Sequence, residues 1–153
     1  MRKAWTVSRG PIAATEADVE KARAINAMLT RSIGILPENP GDPILPFAVG
    51  LFNEIKALLK PEHGVSSLRR ATAFHIFSKR YYFASAQPDS MRHDIDGRPV
   101  EPLSAADRLA AQKSFLDVKR QLMRTSIERQ QANKGHTSMK RAPDTSGPFQ
   151  LGT

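Results

Sequence analysis

The sequence predicts a mainly α-helical domain with one small β-hairpin, followed by a disordered basic tail. Three observations carry that prediction. Apolar residues recur at helical spacing in several stretches separated by Pro-, Gly- and Ser-containing breaks. One stretch, Met91 to Ile95, alternates instead and runs into Asp96-Gly97, a strong short hairpin signal. From residue 129 the chain is polar, with little to bury. The expected divisions are a flexible segment over 1–14, a folded domain over 15–128 and a disordered tail over 129–153.

Each element has a local reason. Thr15 followed by Asp18 resembles a capping box, and Val19, Ala22, Ile25, Met28 and Leu29 share a helical face, which predicts a helix over roughly 15–32. The turn-rich run from Leu36 to Pro43 ends it. Pro46 suits the first residue of a second helix, striped by Phe52, Ile55 and Leu59 and stopped by Pro61. Gly50 then falls inside that helix, where close packing or exposure of the backbone to a ligand would explain it. Ser66 or Ser67 caps a third helix, with Leu68, Ala71, either Phe74 or His75, and Phe77 facing inward. Ser78 opens a short fourth helix through Ala84. Arg98 to Val100 form the return strand of the hairpin. Ser104 with Asp107 caps a long last helix, whose Phe115 and Leu122 lie on one apolar face and Leu116, Met123 and Ile127 on another.

The 153 residues suffice for one domain with a core. A net charge of +8 favours an anionic partner. With no cysteine, disulfides, thiol catalysis and Cys-ligated zinc are excluded, and a reducing compartment fits. No apolar run suggests a membrane span or a signal peptide, so the cytoplasm is the expected location and no membrane partner is expected.

That charge is concentrated where acids are missing. Between Glu62 and Asp89 there is no carboxylate, but there are Arg69, Arg70, Lys79 and Arg80. Interleaved with them are Phe74, Phe77, Tyr81, Tyr82 and Phe83, half of the chain's aromatic residues, and Arg92 follows. Phosphates attract unopposed cations, and flat rings offer faces to bases. The competing reading makes the rings core and the cations a solvated face. Arg69 and Arg70 in the first turn of a helix oppose its dipole, a conflict that a bound anion would relieve.

Catalytic constellations are not found. His63, His75, His93 and His136 have no metal-ligand spacing, and the His93-Asp94-Ile95-Asp96 run divides between two strand faces and a turn. Phosphate-binding loops, dinucleotide glycine patterns and nucleophile elbows are missing too, so no enzyme and no cofactor are expected.

Four pieces in order resemble the ProQ/FinO RNA-chaperone domain over roughly residues 20–122. They are Pro46-Phe-Ala-Val-Gly50-Leu-Phe-Asn-Glu-Ile55, Leu68-Arg69-Arg70-Ala71, Arg80-Tyr81-Tyr82, and Arg92-His-Asp94-Ile-Asp96-Gly97-Arg98-Pro99. The resemblance implies a compact helical domain with a hairpin, binding structured RNA such as small RNAs and terminator hairpins with a 3′ tail. It implies protection of RNA and promotion of RNA–RNA pairing without nucleotide hydrolysis. It also implies a pocket for the 3′-terminal nucleotides, with Tyr81 and Arg92 in its lining and the helix start from Gly64 through Ser66 and Ser67 presenting backbone N–H groups.

With the surrounding cations, the candidate RNA-binding set is Gly64, Ser66, Ser67, Arg69, Arg70, Lys79, Arg80, Tyr81, Tyr82, Arg92 and Arg98. Tyr81 reads as the ring that touches RNA, Phe74 as core, and Tyr82 as either. A monomer is expected. The chain departs from the family pattern at Ala48, where the family has lysine, and at Leu45, often arginine. His75-Ile76-Phe77 replaces a Tyr-Thr-Ser run, and Tyr82 replaces leucine.

A second reading is a DNA-associated or protein-interaction regulator using the same basic face. A helix-turn-helix drawn through 46–77 meets Pro61 in its connection. The basic run from Lys119 to Arg141 reads either as a source of nonspecific phosphate contacts or as a solubilising tail.

Overall fold

Thr15 opens the first helix, α1 (Glu16–Asn26), with a reciprocal cap: its hydroxyl accepts from Asp18 N–H while Asp18 Oδ2 accepts from Thr15 N–H at 2.8 Å. The protein is described here by a computed structural model, covering residues 3–140 in backbone and 3–133 in side chains. In chain order α1 is followed by α2 (Leu51–Lys56), α3 (Val65–Ile76), α4 (Lys79–Ser85), β1 (Met91–His93), β2 (Pro99–Pro102) and α5 (Ala105–Lys140). One body ends at Leu116, and a second unit begins at Asp117.

Helix α1 is shorter than the 15–32 its periodicity predicts. Thr30 N–H donates to Leu58 O at 2.8 Å and Lys60 N–H to Met28 O at 2.9 Å, so residues 28–30 pair with 58–60 instead of extending the helix. Asn26 Oδ1 accepts from Ile33 N–H at 3.0 Å and closes the turn. Ile25, Ile33, Ile35, Leu51, Ile55 and Leu68 are buried at the centre of the core. Each contributes about 1.5–3 kcal/mol by leaving water.

Pro46 does not start α2. It lies in an extended segment whose carbonyl accepts from His93 N–H at 2.8 Å, and Ala48 N–H donates to His93 O at 2.9 Å. Residues 46–48 thus lie beside the hairpin, bridged in parallel. Gly50 is the N-cap of α2 at φ 79°, not an interior residue. A Cβ there would meet nothing within 4 Å, so conformation and not packing explains the glycine.

The hairpin is antiparallel, pairing Met91 with Pro102 and Arg92 with Glu101, with an irregularity between Arg92 and His93. Its return strand is β2, which starts one residue and ends two residues later than the expected Arg98 to Val100. Asp94 organises the connection: its Oδ1 accepts from Asp96 and Arg98 N–H at 2.9 and 3.0 Å. These bonds, that from Arg98 foremost, hold its carboxyl below the usual range. The turn packs on the loop after α1, where Ile35 N–H donates to Ile95 O at 3.2 Å. A Cβ on Gly34 would collide with the Asp96 backbone, and one on Gly97 (φ 87°) would lie 2.9 Å from Gly34 O. The two glycines let the backbones touch.

Residues 3–14 are packed, contrary to the expected loose segment. Trp5 meets Phe83 and Phe115 edge-on at 5.6 and 5.8 Å, and Ile12 and Ala14 are buried. Gln112 accepts from Trp5 N–H and donates to Lys3 O, both at 2.9 Å, binding this strap to α5. One tryptophan outweighs the weak periodicity, because a large ring needs only one slot.

Helix α5 begins as expected, with Asp107 N–H donating to Ser104 Oγ at 3.1 Å. It continues through Lys140, past the predicted start of disorder at 129, because Gln, Ala and Lys favour helix without needing burial. Residues 141–153 lie outside the described part. Past Asp117 neither apolar face is covered: Leu122 of the first and Met123 and Ile127 of the second are more than half exposed. No helix among the described residues is long and apolar enough to cross a membrane.

Candidate nucleic-acid interface

Helix α3 starts two or three residues earlier than a Ser66 or Ser67 cap would allow. Its N-cap is Gly64, which supplies no side-chain acceptor, and the first turn contains no acid. Gly64, Val65, Ser66, Ser67, Arg69 and Arg70 are all exposed. The first N–H groups of an α-helix have no partner within it and carry partial positive charge. Arg69 and Arg70 fall in the second turn, not the first as expected, because the helix starts at Val65, and the Arg69 guanidinium lies 4.7 Å over the Phe52 ring. The arrangement is an open anion seat.

Tyr81 and Arg92 meet at a different place, the peptide of Phe47. Phe47 N–H donates to the Tyr81 hydroxyl at 2.7 Å, and Arg92 Nη1 donates to Phe47 O at 2.9 Å. Arg92 Nη2 also bonds Asp107 Oδ2 at 2.8 Å. Burial pushes the Tyr81 phenol up to about 12, although the Phe47 N–H and the nearby Arg92 pull the other way. The hydroxyl accepts here, so its own proton is left to donate, and no acceptor takes it among the described residues. The Arg92 side chain is 18% exposed, whereas that of Asp107 is 53% exposed. This ion pair is therefore open to exchange for another anion.

His75, not Phe74, is the inward residue of α3. It is 1% exposed and forms a three-ring cluster with Phe47 and Tyr81, with ring centroids 5.6 and 5.4 Å away. Its Nε2 is buried without a hydrogen-bond partner. Burial lowers its pKa to about 4, outweighing the attraction of Asp18, and Lys21 adds to the lowering. Phe74, read as core from the sequence, is 62% exposed, and Phe77, also read as inward, is 61% exposed at the C-cap of α3.

The remaining candidates scatter. Arg80 Nε lies 3.7 Å from Asp18 Oδ2, and Lys79 Nζ sits 5.9 Å from the Phe115 ring centroid. Tyr82 lies beside Phe77. Arg98 is largely exposed at the hairpin turn, 4.0 Å from Asp96. Among the described residues no hydrogen bond or ion pair joins the α3 start to the Phe47 node, and no three His, Asp or Glu gather as a metal site.

The profile of the ProQ/FINO family matches residues 22–131, most of the chain. The chain belongs to the ProQ/FINO family. Among solved structures it is similar to a FinO-like RNA chaperone from Neisseria meningitidis MC58, with 19% identity, 69% of this chain and 87% of that chain covered, and a TM-score of 0.45. It is also similar to a ProQ homolog from Legionella pneumophila, with 18% identity, coverage of 73% and 91%, and a TM-score of 0.44. No curated protein sequence matches it.

In this ProQ/FINO chain two participants escape sequence reading. Phe47 stands in the quoted motif, but nothing local says that its peptide joins Tyr81 to Arg92. Asp107 is legible as part of a helix cap, while its second partner is 15 residues away across the hairpin.

Proposed function

We propose that this protein is a non-enzymatic RNA chaperone that seats the 3′ end of a hairpin's unpaired tail at the start of α3. The observation that carries the reading is the open helix start: a glycine cap, no acid in the first turn and two exposed arginines. A phosphate or terminal ribose there satisfies N–H groups that the chain leaves to solvent. Membership of the ProQ/FINO family and the order of the four motifs support the same ligand class.

Tyr81 and Arg92 contribute from the Phe47 node. The phenol donates its spare proton to a phosphate or 2′-OH oxygen, and Arg92 exchanges Asp107 for a phosphate. Arg70, Arg80 and Arg98 add charge that is indifferent to base sequence. Protection of small RNAs and mRNA 3′ ends in the cytoplasm, and promotion of RNA–RNA pairing, follow as the cellular role.

The test compares one hairpin in three forms: with a short 3′ tail ending in a hydroxyl, blunt, and tailed but 3′-phosphorylated. The tailed hydroxyl form should bind about tenfold or more tightly than the others, the equivalent of one or two charge-assisted hydrogen bonds. Equal affinity for all three would refute the 3′-end seat.

A further inference from the structure

Two rings that the 3′-end seat does not use lie together at the surface, one exposed and one half-buried. Phe77, at the C-terminal end of α3, is 61% exposed. Tyr82, half-buried on α4, lies nearly parallel to it, with an interplanar angle of 25° and centroids 6.5 Å apart. Phe74 is Phe77's neighbour on the same helix and is equally exposed. A single exposed apolar side chain needs no explanation, but three neighbouring aromatics do. The fold sorts the ring-rich block. Tyr81 packs on Phe47 and His75, Phe83 packs on Phe115 and Trp5, and Phe74 and Phe77 are exposed, with half-buried Tyr82 beside Phe77.

Charge selects the occupant. Arg70 lies one turn before Phe74 and shares a groove of about 470 Å³ with it. Lys21 also lines that groove, against the single carboxylate of Glu20. No residue from 63 to 88 is acidic. Parallel flat rings beside cations match a strand of nucleotides, whose bases are parallel planes linked by phosphates. At about 1.5 Å per residue, Phe77 lies roughly 18 Å along α3 from its start. Nucleotides seated at the helix start are therefore not those that reach it.

We propose that Phe77 and Tyr82 form a stacking platform for unpaired RNA bases, a second contact beyond the 3′-end seat. It rests on the RNA-binding reading above. It also belongs to this chain in particular, since Phe77 and Tyr82 stand where the family resemblance has serine and leucine.

The experiment uses the full chain and a tailed hairpin with 2-aminopurine at successive unpaired positions. Wild type is compared with the ring-removing pair Phe77→Ser and Tyr82→Leu, and with the ring-retaining pair Phe77→Tyr and Tyr82→Phe. Wild type should quench the fluorophore at one or two positions away from the 3′ end. The ring-removing pair should abolish that quenching and weaken tailed-RNA binding roughly 5- to 100-fold, the range for loss of base–aromatic stacking. Its circular dichroism and blunt-hairpin affinity should be unchanged, and the ring-retaining pair should behave as wild type. Unchanged tailed-RNA affinity in the ring-removing pair overturns the platform alone. Equal losses on tailed and blunt RNA also overturn it, as does a wild-type dimer that the ring-removing pair dissociates. A wild type that binds no hairpin overturns the RNA reading itself.

Discussion

The start of α3 and the Phe47 node use the same kinds of group, N–H donors, arginine and an aromatic ring, to opposite effect. At the node the backbone and charged groups have internal partners, and only His75 Nε2 and the Tyr81 proton are left without one among the described residues. Tyr81 and Arg92 bond the Phe47 N–H and carbonyl, Asp107 takes the second arginine nitrogen, and His75 packs against both rings. At the start of α3 no described residue answers the first N–H groups, and Arg69 and Arg70 are exposed. A neighbouring helix shows that this openness is not imposed by the fold. Helix α1 packs on α3, yet closes its own start with Thr15, Glu16 and Asp18. What separates the two regions is accounting of partners, not composition.

The largest test removes the support of the node. Gly34→Ala pushes a methyl into the Asp96 backbone, so the hairpin carrying Arg92 cannot seat. A loss of about 3–5 kcal/mol is expected by urea denaturation, in the range of severe overpacking. A variant as stable as wild type would show that the hairpin seats without the Gly34–Gly97 contact.

A second test probes how tightly the node is sealed. The His75 pKa falls from 6.5 to about 4 on folding, so between those values the unfolded chain binds a proton that the folded chain refuses. Stability is present in full above pH 6.5 and is lost as pH falls toward 4, by about 3 kcal/mol at the lower end. His75→Phe keeps a ring against Phe47 and Tyr81 and removes this component. In denaturation curves from pH 7 to 4 the stability difference between the two proteins should therefore shift in favour of His75→Phe by about 3 kcal/mol. Parallel curves would mean that His75 does not sense the node's dryness.

The smallest effect on stability carries the sharpest contrast. Gly64→Asp gives α3 the kind of cap that α1 has, and a Cβ at Gly64 meets nothing within 4 Å. Stability should rise by a few tenths of a kcal/mol, up to about 0.5. Affinity for the tailed hairpin should fall, because the carboxylate takes the N–H groups and repels phosphate. A rise in both quantities would remove the helix start from the binding site.

How much of this was legible in advance depends on the range of the interaction. The Thr15–Asp18 and Ser104–Asp107 caps, the Asp96-Gly97 turn and the acid-free block are written in residues a few positions apart. The extent of α1 and the start of α2 were misread, because residues 28–30 and 46–48 bond to partners far along the chain. The Trp5 strap was missed for the same reason. Tyr81 and Arg92 find Phe47 across 34 and 45 residues, which no spacing rule reaches.

The ring-rich block shows where the division falls. By itself the sequence determined a helical domain with a hairpin, a family, and a stretch where cations and rings meet no acid, since local spacing and composition suffice for these. Only tertiary structure decided which rings are inside. Phe74 and His75 are adjacent, so they lie about 100° apart around α3, and hydrophobicity favours burying the phenylalanine. The fold buries the histidine because Phe47 and Tyr81 close over that face of the helix. Phe74 is left outside with Phe77 and Tyr82, and this is what makes a surface for bases conceivable.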